Sequence, residues 1–206
     1  MKKFLLVILA VALLPLSSFA FTGTLSFDGG YDGFLAGGGN WQVIGAKLTW
    51  DVTLINNSYW QYTYTFTDRN GNNLVGQPSH FTLEISPDVP RDRFWDFAGT
   101  VEFGDKDGIA NAIKLDWAAD SYTFYSYQDP VWGDFYSKDG QAGGNGLNEA
   151  WNFSIGDADP LAAAANGSIN NKILRPDTTF IPEPASMLLF GMGLAGAGIV
   201  RRIRKK

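Results

Sequence analysis

The sequence predicts an all-β protein: an antiparallel, jelly-roll-like β-sandwich flanked by an N-terminal signal peptide and a C-terminal transmembrane helix. Three observations predict this class. Apolar and polar residues alternate with a period of two through the middle of the chain, turn residues separate the alternating segments, and a long apolar run lies near each end. Residues 21–180 remain between the two runs, which is enough for one domain with its own core.

The first element is a signal peptide over residues 1–20. Two lysines precede an apolar run at residues 4–16, which is shorter than the roughly 20 residues that a membrane helix needs. Small side chains follow, and Ala20 occupies the position before the expected cut, so that Phe21 becomes the mature N-terminus. We therefore expect signal peptidase to process the chain during export through the inner membrane.

The second element is a β-domain over residues 21–160. Its clearest part is a hairpin, in which apolar residues alternate over residues 48–54 and again over residues 60–66, on either side of an asparagine-containing turn. Further strands are predicted at residues 81–85, 100–103, 112–117, 122–127 and 150–155. Seven short strands with turns between them favour a sandwich. Residues 161–180 are predicted to be a linker.

Composition excludes several kinds of site. The chain has no cysteine and one histidine, His80, which excludes disulfides, thiolate chemistry and metal sites built on cysteine or on two histidines. Residues 21–180 carry 9 basic and 20 acidic side chains, a net charge of -11. A domain with that charge repels phosphate backbones, so we expect no nucleic-acid partner. We also expect no cofactor and no metal site.

Aromatic residues are abundant in the domain, which contains all seven tryptophans and all eight tyrosines of the chain. Those on the alternating apolar faces, such as Trp50 and Trp60, are predicted to form the core. Trp95 and Trp132 lie outside any clean alternation, and a loop tryptophan can stack on a sugar ring. These two are therefore candidate glycan-binding residues; the alternative is that they close the open end of the sandwich.

The carboxylates do not reveal a catalytic pair. Glu84, Glu102 and Glu149 offer the groups that glycoside hydrolysis uses, but no spacing identifies two that face each other, and no catalytic residue is assigned. His80 shares one strand face with Thr82 and Glu84, where a cross-strand polar contact is favoured over the role of a general base.

The segment Asp105-Lys106-Asp107-Gly108 has a superficial likeness to a calcium loop. It lacks a third ligand before the glycine, and Asp116 stands where an EF-hand loop ends in glutamate. Calcium held by scattered loop carboxylates stays open as an alternative to a solvated acidic surface.

The last element occupies residues 181–206. Pro182, Glu183 and Pro184 precede sixteen uncharged residues at 185–200, which are predicted to form a transmembrane helix. A basic cluster then acts as the membrane stop on the cytoplasmic side; it consists of Arg201, Arg202, Arg204, Lys205 and Lys206. The helix is either a permanent anchor or part of a signal that is removed during processing.

This order of motif, apolar helix and basic cluster resembles the PEP-CTERM sorting signal of Gram-negative bacteria that make extracellular polysaccharide. The resemblance implies recognition by an exosortase, with the mature protein on the cell surface or in the exopolysaccharide matrix. Within the domain, four segments are similar to segments of a functionally uncharacterised group of PEP-CTERM proteins, which transfers no site; they are residues 60–66, 79–86, 113–116 and 130–140.

Together these observations predict an exported, non-catalytic protein of the cell surface or biofilm matrix that is structural or binds polysaccharide weakly. A secreted enzyme that acts on matrix polysaccharide is the alternative. Clustered, exposed tryptophan and tyrosine side chains would favour binding, whereas facing carboxylates in a deep cleft would favour hydrolysis.

Overall fold

The computed structural model describes residues 20–143, 146–152 and 172–177. These residues form thirteen strands and one short α-helix, α1 (Gly39–Val43). The strands are β1 (Ala20–Ser26), β2 (Gly33–Gly38), β3 (Lys47–Ile55), β4 (Tyr59–Thr67), β5 (His80–Glu84), β6 (Phe94–Trp95), β7 (Thr100–Lys106), β8 (Ile109–Asp116), β9 (Ser121–Ser126), β10 (Asp129–Gly133), β11 (Phe135–Gly143), β12 (Gly146–Asn152) and β13 (Ile173–Asp177). The prediction of a mostly β structure is confirmed.

Eleven of these strands form one large curled sheet, in the order β6-β9-β4-β3-β1-β2-β12-β11-β5-β8-β7. Neighbouring strands are antiparallel except β1 and β2, which pair in parallel through Leu25 with Gly33 and Ser26 with Phe34. This short contact joins a first half, β6 to β1, to a second half, β2 to β7. The predicted sandwich of two separate sheets is not confirmed, because the two halves are hydrogen-bonded into a single sheet.

The predicted hairpin is confirmed as β3 and β4, which pair over nine residues from Lys47 with Thr67 to Ile55 with Tyr59. Alternation fixes the register, because a shift by one residue would turn the whole apolar face outwards. Between the strands, Asn56 and Asn57 both have positive φ, a conformation that asparagine tolerates better than most residues.

The core lies between the inner faces of the two halves. Tyr64 and Phe66 of β4 contact the ring of Phe81 on β5, with centroids 4.8 and 5.6 Å apart, and Phe81 in turn contacts Phe135 on β11. Each such ring, once buried, contributes roughly 1.5–3 kcal/mol to stability. Other aromatic side chains that are fully buried are Trp41, Trp50, Trp132, Tyr62, Tyr122 and Phe124.

Trp50 depends on a glycine in the neighbouring strand. Gly23 of β1 stands opposite Trp50 of β3, and a Cβ atom at Gly23 would collide with the indole. The alternation in β3 predicts the inward direction of Trp50, and Gly23 provides the space that the ring occupies.

The segment predicted to be a linker, residues 161–180, contains a buried strand. β13 pairs with β10 in a separate two-stranded sheet over five residues, and residues 172–177 are all buried. Tyr64 donates a hydrogen bond from Oη to the carbonyl oxygen of Leu174 at 2.7 Å, which ties β13 to the large sheet. The linker prediction is therefore wrong for this part of the segment, because apolar contacts and ion pairs hold it in the fold.

Candidate functional site

Trp95 lies at one edge of the large sheet, on its outer face. It belongs to the two-residue strand β6 and pairs with Tyr125 of β9. The adjacent Phe94 is buried and contacts Phe124 in the core, so Trp95 points the other way and is half-buried. The loop predicted around Trp95 thus contains an edge strand that fixes the direction of the indole.

Three tyrosines surround Trp95, and we call the four residues the aromatic platform: Tyr59, Trp95, Tyr125 and Tyr127. Ring centroids lie 5.3 Å apart for Tyr59 and Trp95, 6.0 Å for Trp95 and Tyr125, and 4.6 Å for Trp95 and Tyr127. Tyr127 is 52% exposed, and the guanidinium of Arg93 lies 5.8 Å from its ring centroid. These contacts hold the rings in place at the protein surface.

Sequence reasoning missed the three tyrosines of the aromatic platform. The available signal was that Tyr125 falls on the polar face of the strand predicted at residues 122–127, opposite to buried Phe124. A tyrosine on the polar side of an alternating strand indicates an exposed ring. Pairing between β6 and β9 then brings Trp95 beside it, which no local pattern indicates.

A row of polar side-chain pairs runs from the aromatic platform along β4 and β9. We call it the polar ladder; its pairs are Gln61 with Tyr125, Thr63 with Thr123, and Thr65 with Ser121, at 3.4, 3.1 and 3.2 Å. All six side chains lie opposite buried neighbours of the same strands, so they form the outer surface of the sheet.

The outer face around the polar ladder is nearly free of charge. Twelve positions form three rows across the strands, and nine of them carry a hydroxyl group whereas Asp51 alone is charged. The rows are Trp95-Tyr125-Gln61-Thr53, Thr123-Thr63-Asp51-Thr22 and Ser121-Thr65-Thr49-Thr24. This face differs from the domain as a whole, which carries a net charge of -11 over residues 21–180.

Trp132, the second predicted glycan-binding residue, is buried in the core. It is 1% exposed, pairs with Leu174 of β13 and packs edge-on against Trp50 with centroids 6.2 Å apart. The prediction of a surface role is wrong because Trp132 belongs to strand β10 and its ring packs into the core against Trp50. Trp132 therefore contributes to stability and has no access to a glycan.

Ion pairs surround β13 inside the fold. Arg175 donates from Nη1 to Asp177 Oδ2, and its Nε lies 3.5 Å from Glu84 Oε2. Lys172 is paired with Asp134 at 2.7 Å, and both residues are less than 5% exposed. Glu84, considered above for hydrolysis, also accepts a hydrogen bond from the backbone N–H of Asp134 at 3.0 Å. Its carboxylate therefore links β5 to β13 and to the junction between β10 and β11.

His80 has the contacts that most resemble a catalytic arrangement. Its Nδ1 lies 3.3 Å from Ser79 Oγ, and its Nε2 lies 3.2 Å from Asp107 Oδ2 but outside hydrogen-bond alignment. Ser79 Oγ, however, donates its proton to the carbonyl oxygen of Lys138, and Asp107 accepts from Thr82 at 2.6 Å. The hydroxyl is thus held by a backbone acceptor, which does not activate it as a nucleophile.

Burial lowers the pKa of His80 below its ordinary value, and this effect exceeds the opposite effect of the Asp107 charge. His80 is 4% exposed and lies on the face of β5 that also carries Thr82, as expected, but Asp107 covers both residues. The predicted polar contact is present, and it comes from the turn between β7 and β8.

The other carboxylates considered above each bind a neighbour. Glu102 pairs with Lys106 at 2.5 Å, which lowers the pKa of Glu102, and Glu149 accepts from the hydroxyl of Tyr136 at 2.9 Å. Asp105 accepts the backbone N–H of Asn111, whereas Asp107 turns towards β5. Within the part of the chain that the structure describes, no three histidine or carboxylate side chains converge as a metal-binding group.

The terminal predictions fall mostly outside the described residues. These include most of the signal peptide, the sorting motif Pro182-Glu183-Pro184, the apolar helix and the basic cluster. Ala20 and Phe21, on either side of the predicted cut, lie at the start of β1, where Phe21 contacts the ring of Trp60 at 5.9 Å. No helix within residues 20–143, 146–152 or 172–177 has the length and apolar character to cross a membrane.

A family model, described as the PEP-CTERM protein-sorting motif, matches residues 180–205. No curated protein and no solved structure matches the chain. The motif indicates that exosortase sorts the protein and that its destination is the cell surface or the extracellular space. The match begins three residues beyond β13, so the folded body and the sorting segment are neighbours along the chain. The chain is therefore a protein that carries a PEP-CTERM sorting motif.

Proposed function

We propose that the folded body is a non-catalytic component of the cell surface or exopolysaccharide matrix, and that it binds polysaccharide through the aromatic platform. The observation that carries the proposal is the position of Trp95 and Tyr127 on an outer sheet face next to a hydroxyl-rich surface on which Asp51 is the one charged residue among the twelve positions described above. Aromatic rings stack on the apolar faces of sugars, and side-chain hydroxyls and amides bind their polar edges.

Charge favours a neutral glycan as the ligand. A net charge of -11 over residues 21–180 repels acidic polysaccharides, whereas stacking requires no charge on the ligand. The sorting motif supports a polysaccharide-rich destination, and residues 182–184 with the predicted helix at 185–200 supply a processing signal and a temporary anchor. Trp132 is not one of the proposed binding residues, because it is buried.

The proposal is tested by affinity electrophoresis of the exported protein in gels that contain a neutral polysaccharide such as hydroxyethylcellulose or mannan. Trp95→Ala and Tyr127→Ala should abolish the retardation that the parent protein shows. Tyr31→Ala is a matched control, because Tyr31 is 57% exposed and lies outside the aromatic platform. The melting temperature of each variant verifies that it is folded.

Each alternative has its own outcome. Equal retardation of all variants would place binding elsewhere, and no retardation of the parent protein in any gel would leave a structural role. A fall in the viscosity of the polymer solution during incubation would indicate cleavage and hence the secreted enzyme.

A further inference from the structure

The polar ladder extends from the aromatic platform in one direction, along β4 and β9. Its three pairs follow one another along β4 and β9 at two-residue intervals, so successive pairs lie about 7 Å apart and the ladder with Tyr59 extends over about 20 Å. That length exceeds what one stacked ring covers. A ligand that begins on the aromatic platform and continues along the ladder contacts several sugar units.

The chemistry of the ladder selects a ligand rich in hydroxyl groups. In each threonine or serine pair, one hydroxyl donates to the other, so one donor hydrogen and several lone pairs remain available towards solvent. Gln61 adds an amide that both donates and accepts. Such a surface matches the mixed donors and acceptors of a neutral sugar, and none of the six side chains of the ladder is positively charged. The guanidinium of Arg93 lies beside the aromatic platform, 5.8 Å from the ring centroid of Tyr127.

We infer that the ligand is a neutral polysaccharide in an extended conformation, which lies parallel to β4 and β9 with one sugar on the aromatic platform and the following sugars on the polar ladder. The inference rests on the proposed function and deepens it by giving the class and orientation of the ligand. Thr63 and Thr123 lie in the middle of the ladder. They are then the residues that make binding depend on the length of the polysaccharide.

The test uses the full exported protein and the double variant Thr63→Val/Thr123→Val. Valine keeps the branched shape and the preference for strands but removes both hydroxyls. In the neutral polysaccharide gel that retards the parent protein, this variant should bind with an association constant about tenfold lower, the effect of losing one or two hydrogen bonds to the ligand.

The matched control is Thr24→Val/Thr49→Val. Thr24 and Thr49 form a similar pair at 3.1 Å on the same face, but they belong to β1 and β3 and continue the row of Thr65 across the strands, not along the ladder. This variant should bind like the parent protein. The melting temperatures of both double variants should stay close to that of the parent, because the substituted side chains lie on the outer face.

The outcomes separate the inference from the proposed function. Binding that is lost in Trp95→Ala but unchanged in Thr63→Val/Thr123→Val would retain the function and overturn the inference. Equal losses in the two double variants would place the ligand across the strands and also overturn it. Absence of binding by the parent protein would remove the proposed function and the inference together.

Discussion

Trp132 and Trp95 carry the same side chain in opposite surroundings. Trp132→Ala removes a ring that is 1% exposed and contacts Trp50, and it should lower the free energy of unfolding by about 3–5 kcal/mol. Trp95→Ala, at a half-buried position on the sheet edge, should cost clearly less. Urea unfolding followed by circular dichroism measures both. Similar losses of unfolding free energy in the two variants would contradict the burial of Trp132 and the surface position of Trp95.

His80 makes stability depend on pH in a defined direction. Because burial lowers its pKa in the folded state, the unfolded state binds a proton first as the pH falls below about 6.5. The free energy of unfolding should therefore decrease from that pH down to the folded-state pKa, and His80→Gln should remove this part of the dependence. Denaturant unfolding at several pH values measures it.

The same histidine offers a direct measurement, since the chain contains one histidine and the NMR signal of its ring is unique. The ring should titrate below the ordinary pKa, and Asp107→Asn should lower the pKa further because the carboxylate raises it. Lys114 and Lys138 act against Asp107, and Asp116 acts with it. Titration at or above 6.5 would show that the Asp107 charge exceeds the effect of burial.

At the scale of elements, β13 stabilises the domain although it follows the predicted domain boundary. Arg175→Ala leaves Asp177 and Glu84 without the guanidinium and should cost about 3–5 kcal/mol, the usual effect of breaking a buried ion pair. Arg93→Ala, at an exposed arginine, should cost about 1 kcal/mol or less. Chemical unfolding of both variants provides the comparison. Equally small losses of unfolding free energy in Arg175→Ala and Arg93→Ala would mean that the ion pairs of β13 contribute little to the stability of the fold.

The elements differ in how far their sequences predict them. β3 and β4 alternate regularly and are joined by a short turn, so local sequence suffices for their position and register. β13 reads Ile-Leu-Arg-Pro-Asp, and the burial of its charges depends on Glu84, 91 residues away from Arg175 in the chain. β10 is short, and among the described strands it pairs with β13 alone. Neither strand has a local pattern that predicts where it packs.

Local sequence likewise predicts one part of the candidate site and not the rest. Departure from alternation in the sequence selects both Trp95, which lies on the outer face, and Trp132, which is buried in a strand of five residues. The aromatic platform combines β4, β6 and β9, so its existence follows from strand pairing rather than from any single segment.

For the whole molecule, net charge should control which polysaccharides are bound. In gels with an acidic polymer such as alginate, the charge of -11 over residues 21–180 should prevent retardation at low salt. Retardation should increase at about 0.5 M salt, where the screening length is well below the roughly 10 Å found at 0.1 M. Binding to hydroxyethylcellulose should not change with salt. A decrease with salt in either gel would indicate an electrostatic interaction in place of stacking.

The sorting motif predicts that the location of the protein depends on three residues. Replacement of Pro182, Glu183 and Pro184 by alanine, with residues 185–200 unchanged, should leave full-length protein in the inner membrane because exosortase no longer recognises it. Immunoblots of membrane and extracellular fractions measure the distribution. Replacement of Ser186 and Met187 by alanine provides a control with the motif intact. If the triple variant is shortened and exported normally, the segment is an anchor without a processing signal.

The docking of β13 also determines how far the folded body can be from the point of processing. Five peptide steps connect Asp177 to Pro182, which span at most about 18 Å. If β13 were undocked, the chain from Asn152 to Pro182 would be able to span up to about 108 Å. Completion of the fold thus leaves at most about 18 Å of chain between the end of β13 and the motif, so an enzyme that acts at the motif must reach it close to the folded body.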